Sequence, residues 1–181
     1  MVRWSIAGSL TVEPAVEHPG LLADPVAKAL AALPDPADVG VAAIDPDLAD
    51  TAAFCEAYGA ALTASANCVV VTGKRAGEER FAACLVLATT RADVNGVVRR
   101  RLDVRKASFA PTDTAVELTR MEYGGITPLG LPAQWPVLVD AAVAAAPELV
   151  IGSGVRGSKL LITGATLASL PNAEVIEGLG R

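Results

Sequence analysis

The sequence predicts an α/β protein of the α+β type, a mixed β-sheet wrapped by helices, in a single domain spanning residues 1–181. Three observations predict it. Asn67 to Val71 and Phe81 to Ala88 are apolar, β-branched-rich runs joined by Thr72-Gly73-Lys74-Arg75-Ala76-Gly77, a hairpin signal. Further strand patterns follow at Val137–Asp140, from Val150, and at Leu160–Ile162, separated by an Ala-rich helical stretch and a glycine turn. A chain of 181 residues also buries roughly 70% of its unfolded surface without help from disulfides or metal.

Taken in order, Trp4 to Val12 alternates loosely and reads as an opening strand, broken at His18-Pro19-Gly20. Asp24-Pro25 starts a helix with proline in its first turn; Ala27 to Leu33 continues it, and Pro34 and Pro36 stop it. Val39 to Ile44 is a short strand. Asp45-Pro46-Asp47 starts a helix that runs through Phe54 and Tyr58 and ends at Gly59. Beyond the hairpin, Asp93 to Arg101 is helical: Val94, Val97, Val98 and Leu102 recur at helical spacing with arginines opposite. Thr112 to Arg120 is a second short helix, capped by Thr112 or Asp113. Ala141 to Ala146 is the Ala-rich helix, and a final helix-to-strand piece closes at Val175-Ile176.

Composition excludes several classes. Apolar residues make up 52% of the chain but aromatics only 4%, so the core is Ala, Val and Leu packing. No run of about 20 uncharged apolar residues exists, so no membrane span is expected. Arg3 is not followed by an apolar block with a cleavage site, which reads as a cytoplasmic protein rather than a secreted one. Cys55, Cys68 and Cys84 form no CxxC and read as small buried residues of a reduced protein.

Charge is informative once it is divided. Residues 74–106 hold nine basic residues and four acids, a local excess of +5 inside a chain whose net charge is −5. An isolated basic run is usually a solvated helix face. Beside a ligand loop it is also what contact with a phosphate backbone requires.

Familiar catalytic constellations are missing. His18 is the one histidine, in a Pro-Gly-flanked segment, which leaves no basis for a Ser-His-Asp or Cys-His arrangement. No clustered Cys or carboxylates stand at ligand spacing, so neither a metal nor another cofactor is expected. Gly152-Ser153-Gly154-Val155-Arg156-Gly157 matches GxGxxG literally. A dinucleotide site needs a helix next, and Lys159 to Thr163 reads as a strand.

That glycine turn has a counterpart upstream. Met121-Glu122-Tyr123-Gly124-Gly125-Ile126-Thr127-Pro128-Leu129-Gly130-Leu131-Pro132 pairs two glycines with a proline, which exposes backbone and then stiffens it. The GGITPLGLP loop, the strand ending in Asp140, the strand from Val150 into a glycine turn with Arg156, and the strand Leu160-Leu161-Ile162 come in one order. That order resembles the YbaK family, aminoacyl-tRNA deacylases related to the editing insertion of bacterial prolyl-tRNA synthetase. The resemblance runs from about Asn67 to Glu177.

The resemblance implies a curved sheet and a hydrolase that uses backbone groups, bound water and the substrate's own ribose hydroxyl to cleave the ester of a mischarged tRNA. Positioning and oxyanion donors suit an already activated ester, at about 3 kcal/mol per well-placed donor. It implies a catalytic loop at Gly124, Gly125 and Thr127 with Asn67 on the facing strand. Ile126, Pro128, Gly152, Ser153, Gly154 and Arg156 are the implied substrate-binding residues. The basic segment offers Lys74, Arg91, Arg99, Arg100, Arg105 and Lys106 to tRNA. The partners implied are the acceptor end of an aminoacyl-tRNA and an aminoacyl-tRNA synthetase, with no DNA and no membrane. Asn67 departs from the family, whose strand opens here with a lysine. An amide donates hydrogen bonds but carries no charge. Either Lys74, Arg91 or Arg156 replaces that lysine, or the substrate differs, or the fold serves as a non-catalytic module that binds an aminoacyl-nucleotide or RNA end.

Overall fold

The structure, a computed structural model, describes residues 3–181. In chain order its regular elements are β1 (Glu13–Pro14), α1 (Asp24–Ala31), β2 (Gly40–Ala43), α2 (Thr51–Tyr58), β3 (Ala66–Arg75), β4 (Glu78–Leu87), α3 (Arg99–Leu102), β5 (Ala107–Phe109), α4 (Thr112–Thr119), β6 (Val137–Asp140), α5 (Ala141–Ala144), β7 (Leu149–Gly152), β8 (Ser158–Ile162), α6 (Gly164–Ala168) and β9 (Ala173–Ile176).

The strands sort into two sheets. A mixed five-stranded sheet has the order β5-β3-β4-β6-β9, in which β6 runs parallel to both its neighbours. A four-stranded antiparallel sheet has the order β1-β2-β8-β7. A single parallel bridge, Ser65 to Val150, joins them just ahead of β3.

Period-two alternation distributes the apolar side chains. Val137 and Val139 of β6, Leu149 and Ile151 of β7, and Leu160 and Ile162 of β8 share one core with Val26 and Leu30 of α1. The intervening Leu138 faces a second cluster, with Cys84, Val98 and Leu102. Val150 and Leu161 face a third, with Phe54 of α2. Both faces of β6, β7 and β8 are therefore covered, which is why these strands read as continuous apolar runs.

Several boundaries differ from the sequence reading. Trp4 to Val12 forms turns, not a strand. Trp4, Ile6, Leu10 and Val12 pack against the Phe54 cluster, so their alternation reflects burial without a strand partner. The helix expected from Asp45 to Gly59 is broken. A 3₁₀ turn at Pro46–Leu48, closed by the Asp45 carboxylate accepting from the Asp47 N–H at 2.9 Å, precedes α2. Asp93 to Arg101 opens with a wide π turn at Val94–Val98, capped by the Asp93 carboxylate, before α3 begins. The N-cap of α4 is Pro111, with no side-chain cap from Thr112 or Asp113. The Ala-rich helix stops at Ala144, and its cap is Asp140, which also accepts from the Gly180 N–H at 3.0 Å.

Candidate functional site

A cleft of about 530 Å³ opens where the two sheets meet. Its floor is the first half of β3, Ala66 to Val70. One wall is β7 with Lys159 of β8. The rim comes from the start of α2, from Phe109 and Thr112, and from Tyr123, Gly124 and Ile126.

The two glycine segments interlock to make the inner wall. The Gly154 N–H donates to the Gly125 carbonyl at 2.7 Å, and the Glu122 N–H donates to the Gly154 carbonyl at 2.8 Å. A β-carbon on Gly125 would stand 2.7 Å from the Val155 carbonyl oxygen, and one on Gly152 would stand 2.6 Å from the Gly125 oxygen. Glycine is needed at both positions because backbone lies directly on backbone. Positive φ falls on Gly124, at +84°. The Gly125 N–H is engaged with the Glu122 carbonyl at 2.9 Å, so it closes the turn rather than facing a ligand.

The sequence-predicted residues divide accordingly. Asn67, Gly124, Ile126 and Gly152 line the cleft. Gly125, Thr127 and Pro128 are buried behind it. Ser153 is fully buried, its Oγ within 3.1 Å of the Val155 and Ser158 carbonyls and 2.7 Å from Ser158 Oγ. Gly154 packs against α1, beside Ala23 and Val26. Arg156 is a strap: its N–H donates to Glu122 Oε2 at 2.7 Å, its Nε to the Pro46 carbonyl at 3.2 Å, and its Nη1 to the Tyr123 carbonyl at 3.3 Å. It ties the Pro46 turn to the glycine loop. Asn67 Oδ1 accepts from Thr51 Oγ1 at 2.8 Å, which fixes the amide against the first residue of α2 and leaves its NH₂ group as a donor.

Lys159 was not singled out from sequence. It is only 7% exposed, its Nζ donates to the Ala49 carbonyl at 2.7 Å, and it stands 5.3 Å from the centre of the Phe54 ring. Burial pushes its pKa below the ordinary lysine value; Arg156 adds to this, while Cys55 and Asp50 oppose it. The usable signal was a charged residue at an interior position of the apolar run Ser158–Ile162.

Potential nucleophiles are quiet. Burial pushes the Cys68 thiol far up and the Cys84 thiol up to about 12, so both stay protonated. His18 lies 3.3 Å from Glu13, in the turn that follows β1. Among the described residues no group of three or more His, Cys, Asp or Glu side chains gathers to hold a metal, and no helix is long and apolar enough to cross a membrane.

Two aromatic rings mark the mouth of the cleft. Phe109 is 61% exposed and Tyr123 64%, and both line it. The other aromatic residues are buried or half-buried. From Phe109 the chain runs back along β5, which pairs with β3, to Lys106 and Arg105. Lys74, Arg91, Arg100, Arg105 and Lys106 are exposed and Arg99 half-buried, and among the described residues none of the six is ion-paired. By contrast Arg75 and Arg80 pair with Asp103, and Arg101 with Glu174.

A sequence profile for the aminoacyl-tRNA editing domain matches residues 45–170. The chain belongs to that family. The match begins earlier than the resemblance read from Asn67, because it includes the Pro46 turn and α2, which close over the cleft. Solved structures share the editing-domain fold. One is described provisionally as a trans-editing enzyme for prolyl tRNA synthetase: 21% identity, TM-score 0.72, covering 86% of this chain and 94% of that one. A scaffold used to present a grafted linear epitope has 21% identity and TM-score 0.72, covering 86% and 95%. A hypothetical protein has 18% identity and TM-score 0.64, covering 74% and 85%. No curated protein sequence matches.

Proposed function

We propose that this editing domain is a trans-acting deacylase that hydrolyses the ester of a mischarged aminoacyl-tRNA carrying a small amino acid. The observation that carries the reading is the cleft itself: backbone of Gly124 and Gly152 lining the inner wall, with exposed Phe109 and Tyr123 at the mouth. Backbone admits an aminoacyl group closely, and aromatic faces stack nucleobases without sequence preference. The unpaired cations flanking β5 suit the phosphates that follow the terminal base.

With the Cys68 and Cys84 thiols protonated and His18 remote, the attacking group in this reading is water. Its oxygen bonds to the ester carbonyl carbon, the bond from that carbon to the ribose oxygen breaks, and the ribose oxygen leaves as a hydroxyl with the water's proton. The vicinal ribose hydroxyl relays that proton. The protein's work is to hold the ester and the water in line and to meet the developing charge on the carbonyl oxygen with fixed donors. The Asn67 NH₂ is one such donor.

Single-turnover deacylation over a panel of mischarged tRNAs tests this. Hydrolysis of at least one of them, well above the spontaneous rate, is expected. The uncharged Asn67 favours a second reading, a non-catalytic module that binds an aminoacylated RNA end. Tight binding of a non-hydrolysable amide-linked aminoacyl-adenosine, with no deacylation of any panel member, would favour that reading.

A further inference from the structure

We propose that Lys159 is the cation of this cleft, donating from β8 to an oxygen of the aminoacylated RNA end that carries or develops negative charge. The inference rests on the reading of the cleft as an aminoacyl-tRNA site and deepens it.

The case begins with burial. Leu160 and Ile162 of β8 enter the central core, while Leu161 faces the Phe54 cluster. Alternation puts Lys159 on the Leu161 side, under α2. A lysine only 7% exposed has lost most of its hydration. Among the described residues no carboxylate lies within ion-pair distance of it. Among the described residues its ammonium makes one hydrogen bond, to the Ala49 carbonyl, which the break between the Pro46 turn and α2 frees. An ammonium has three donors, and a carbonyl with a ring face does not replace its water. The open space beside it is the cleft, shared with Asn67, Gly124 and Gly152. A buried cation with unused donors at the edge of a ligand cleft is built to receive an anion.

The other cations considered for this role are placed differently. Lys74 is seven residues along β3 from Asn67, about 23 Å at strand rise. Arg156 is spent on the Pro46 and Tyr123 carbonyls. Arg91 follows β4 and pairs its backbone with Arg181. Lys159 instead lines the cleft from the other sheet, so the charge comes from β8 while the amide stays on β3.

The charge is lost as pH rises through a value below the ordinary lysine pKa, because burial outweighs the support of Asp50 and Cys55 and Arg156 works against it. The catalysed rate, after subtraction of spontaneous hydrolysis, should therefore fall on the alkaline side.

The test uses full-chain parent, Lys159→Gln and Lys159→Met. The glutamine keeps a donor for Ala49 and removes the charge. Single-turnover deacylation, the pH profile, Tm, and the Kd for an amide-linked aminoacyl-adenosine are measured for each. The expected result is a loss of tenfold or more in kcat/KM, disappearance of the alkaline limb, and a Tm equal to or above the parent's. A fall in kcat places the charge at the ester carbonyl oxygen, and a rise in KM places it at a phosphate; either supports the inference. If the parent binds the analogue without hydrolysing it, a tenfold rise in Kd is the supporting result. Variants within twofold of the parent with an unchanged pH profile overturn it. So does loss of activity accompanied by a fall in Tm for both variants, which makes Lys159 a support of the α2 junction. A parent that neither binds nor hydrolyses any probe removes the functional reading, and this inference with it.

Discussion

Lys159 and the cations of residues 74–106 carry the same charge in opposite surroundings. Arg100, Arg105 and Lys106 are exposed and without ion pairs among the described residues. Lys159 is buried, held by one carbonyl, and set between two sheets. Exposed charge costs little to keep, is screened by salt within about 8 Å at physiological ionic strength, and is exchangeable among neighbours. Buried charge is costly and specific to its position. The difference teaches what each region can contribute: the basic segment can attract and orient a polyanion, and only the cleft can discriminate or activate one group on it.

The largest effect that would separate the two regions is expected at the glycine interlock. Gly125→Val places a side chain 2.7–2.9 Å from the Val155 backbone. The glycine loop must then move off the β7–β8 turn, at a cost of about 1–3 kcal/mol from overpacking. Deacylation should be abolished, measured by single turnover, while the salt dependence of tRNA binding keeps the parent's slope. The steric problem at Gly125 is close approach; the left-handed backbone is at Gly124. An active variant with unchanged Tm would place the reacting group away from this wall.

An intermediate effect is expected from the opposite lesion, Arg99→Ala, Arg100→Ala and Arg105→Ala combined. Each phosphate contact removed should flatten the slope of log K against log salt by roughly 0.7–0.9, so the triple variant should lose about 2–3 units if all three touch RNA. The rate at saturating tRNA should hold, because none of the three lines the cleft. The fold should hold too, since Val98 and Leu102 supply the buried face of that segment. Equal slopes in variant and parent would remove the segment from the interface and leave the comparison resting on the cleft alone.

The glycine segments were legible in sequence because their residue types are demanded locally, by turn geometry and close approach. The basic segment was legible as composition, and the β3–β4 hairpin as two runs around a turn. Lys159 was not, because its surroundings are tertiary: the Ala49 carbonyl that holds it lies 110 positions away, and the Phe54 ring beside it comes from α2. The exposure of Phe109 and Tyr123 at the cleft mouth is likewise tertiary. β5 went unread because a three-residue strand carries no periodicity. The division into two sheets depends on which strands pair, and period-two alternation alone does not specify that.

The smallest effect should come from Asn67, and it bears most directly on the comparison. Its Oδ1 is satisfied by Thr51, so what it offers a ligand is a neutral NH₂ donor. Asn67→Ala removes that donor and also leaves the Thr51 hydroxyl to rebond. The expected loss in kcat/KM corresponds to about 0.5–1.5 kcal/mol, roughly two- to thirteenfold, with no change in salt slope. Hydrogen bonds from a charged donor are worth about twice as much, so the loss should be smaller than for Lys159→Gln in the same assay. Asn67→Lys sharpens the contrast further. In the parent background a second cation facing Lys159 across the cleft should lower the pKa of both and gain little; in the Lys159→Gln background it should recover part of the lost rate, because the charge returns on the other strand. Recovery would mean that the cleft requires one cation and accepts it from either sheet. A large loss from Asn67→Ala with no rescue by lysine would instead make the amide the group that the substrate reads, and would leave Lys159 as a neighbour of the site.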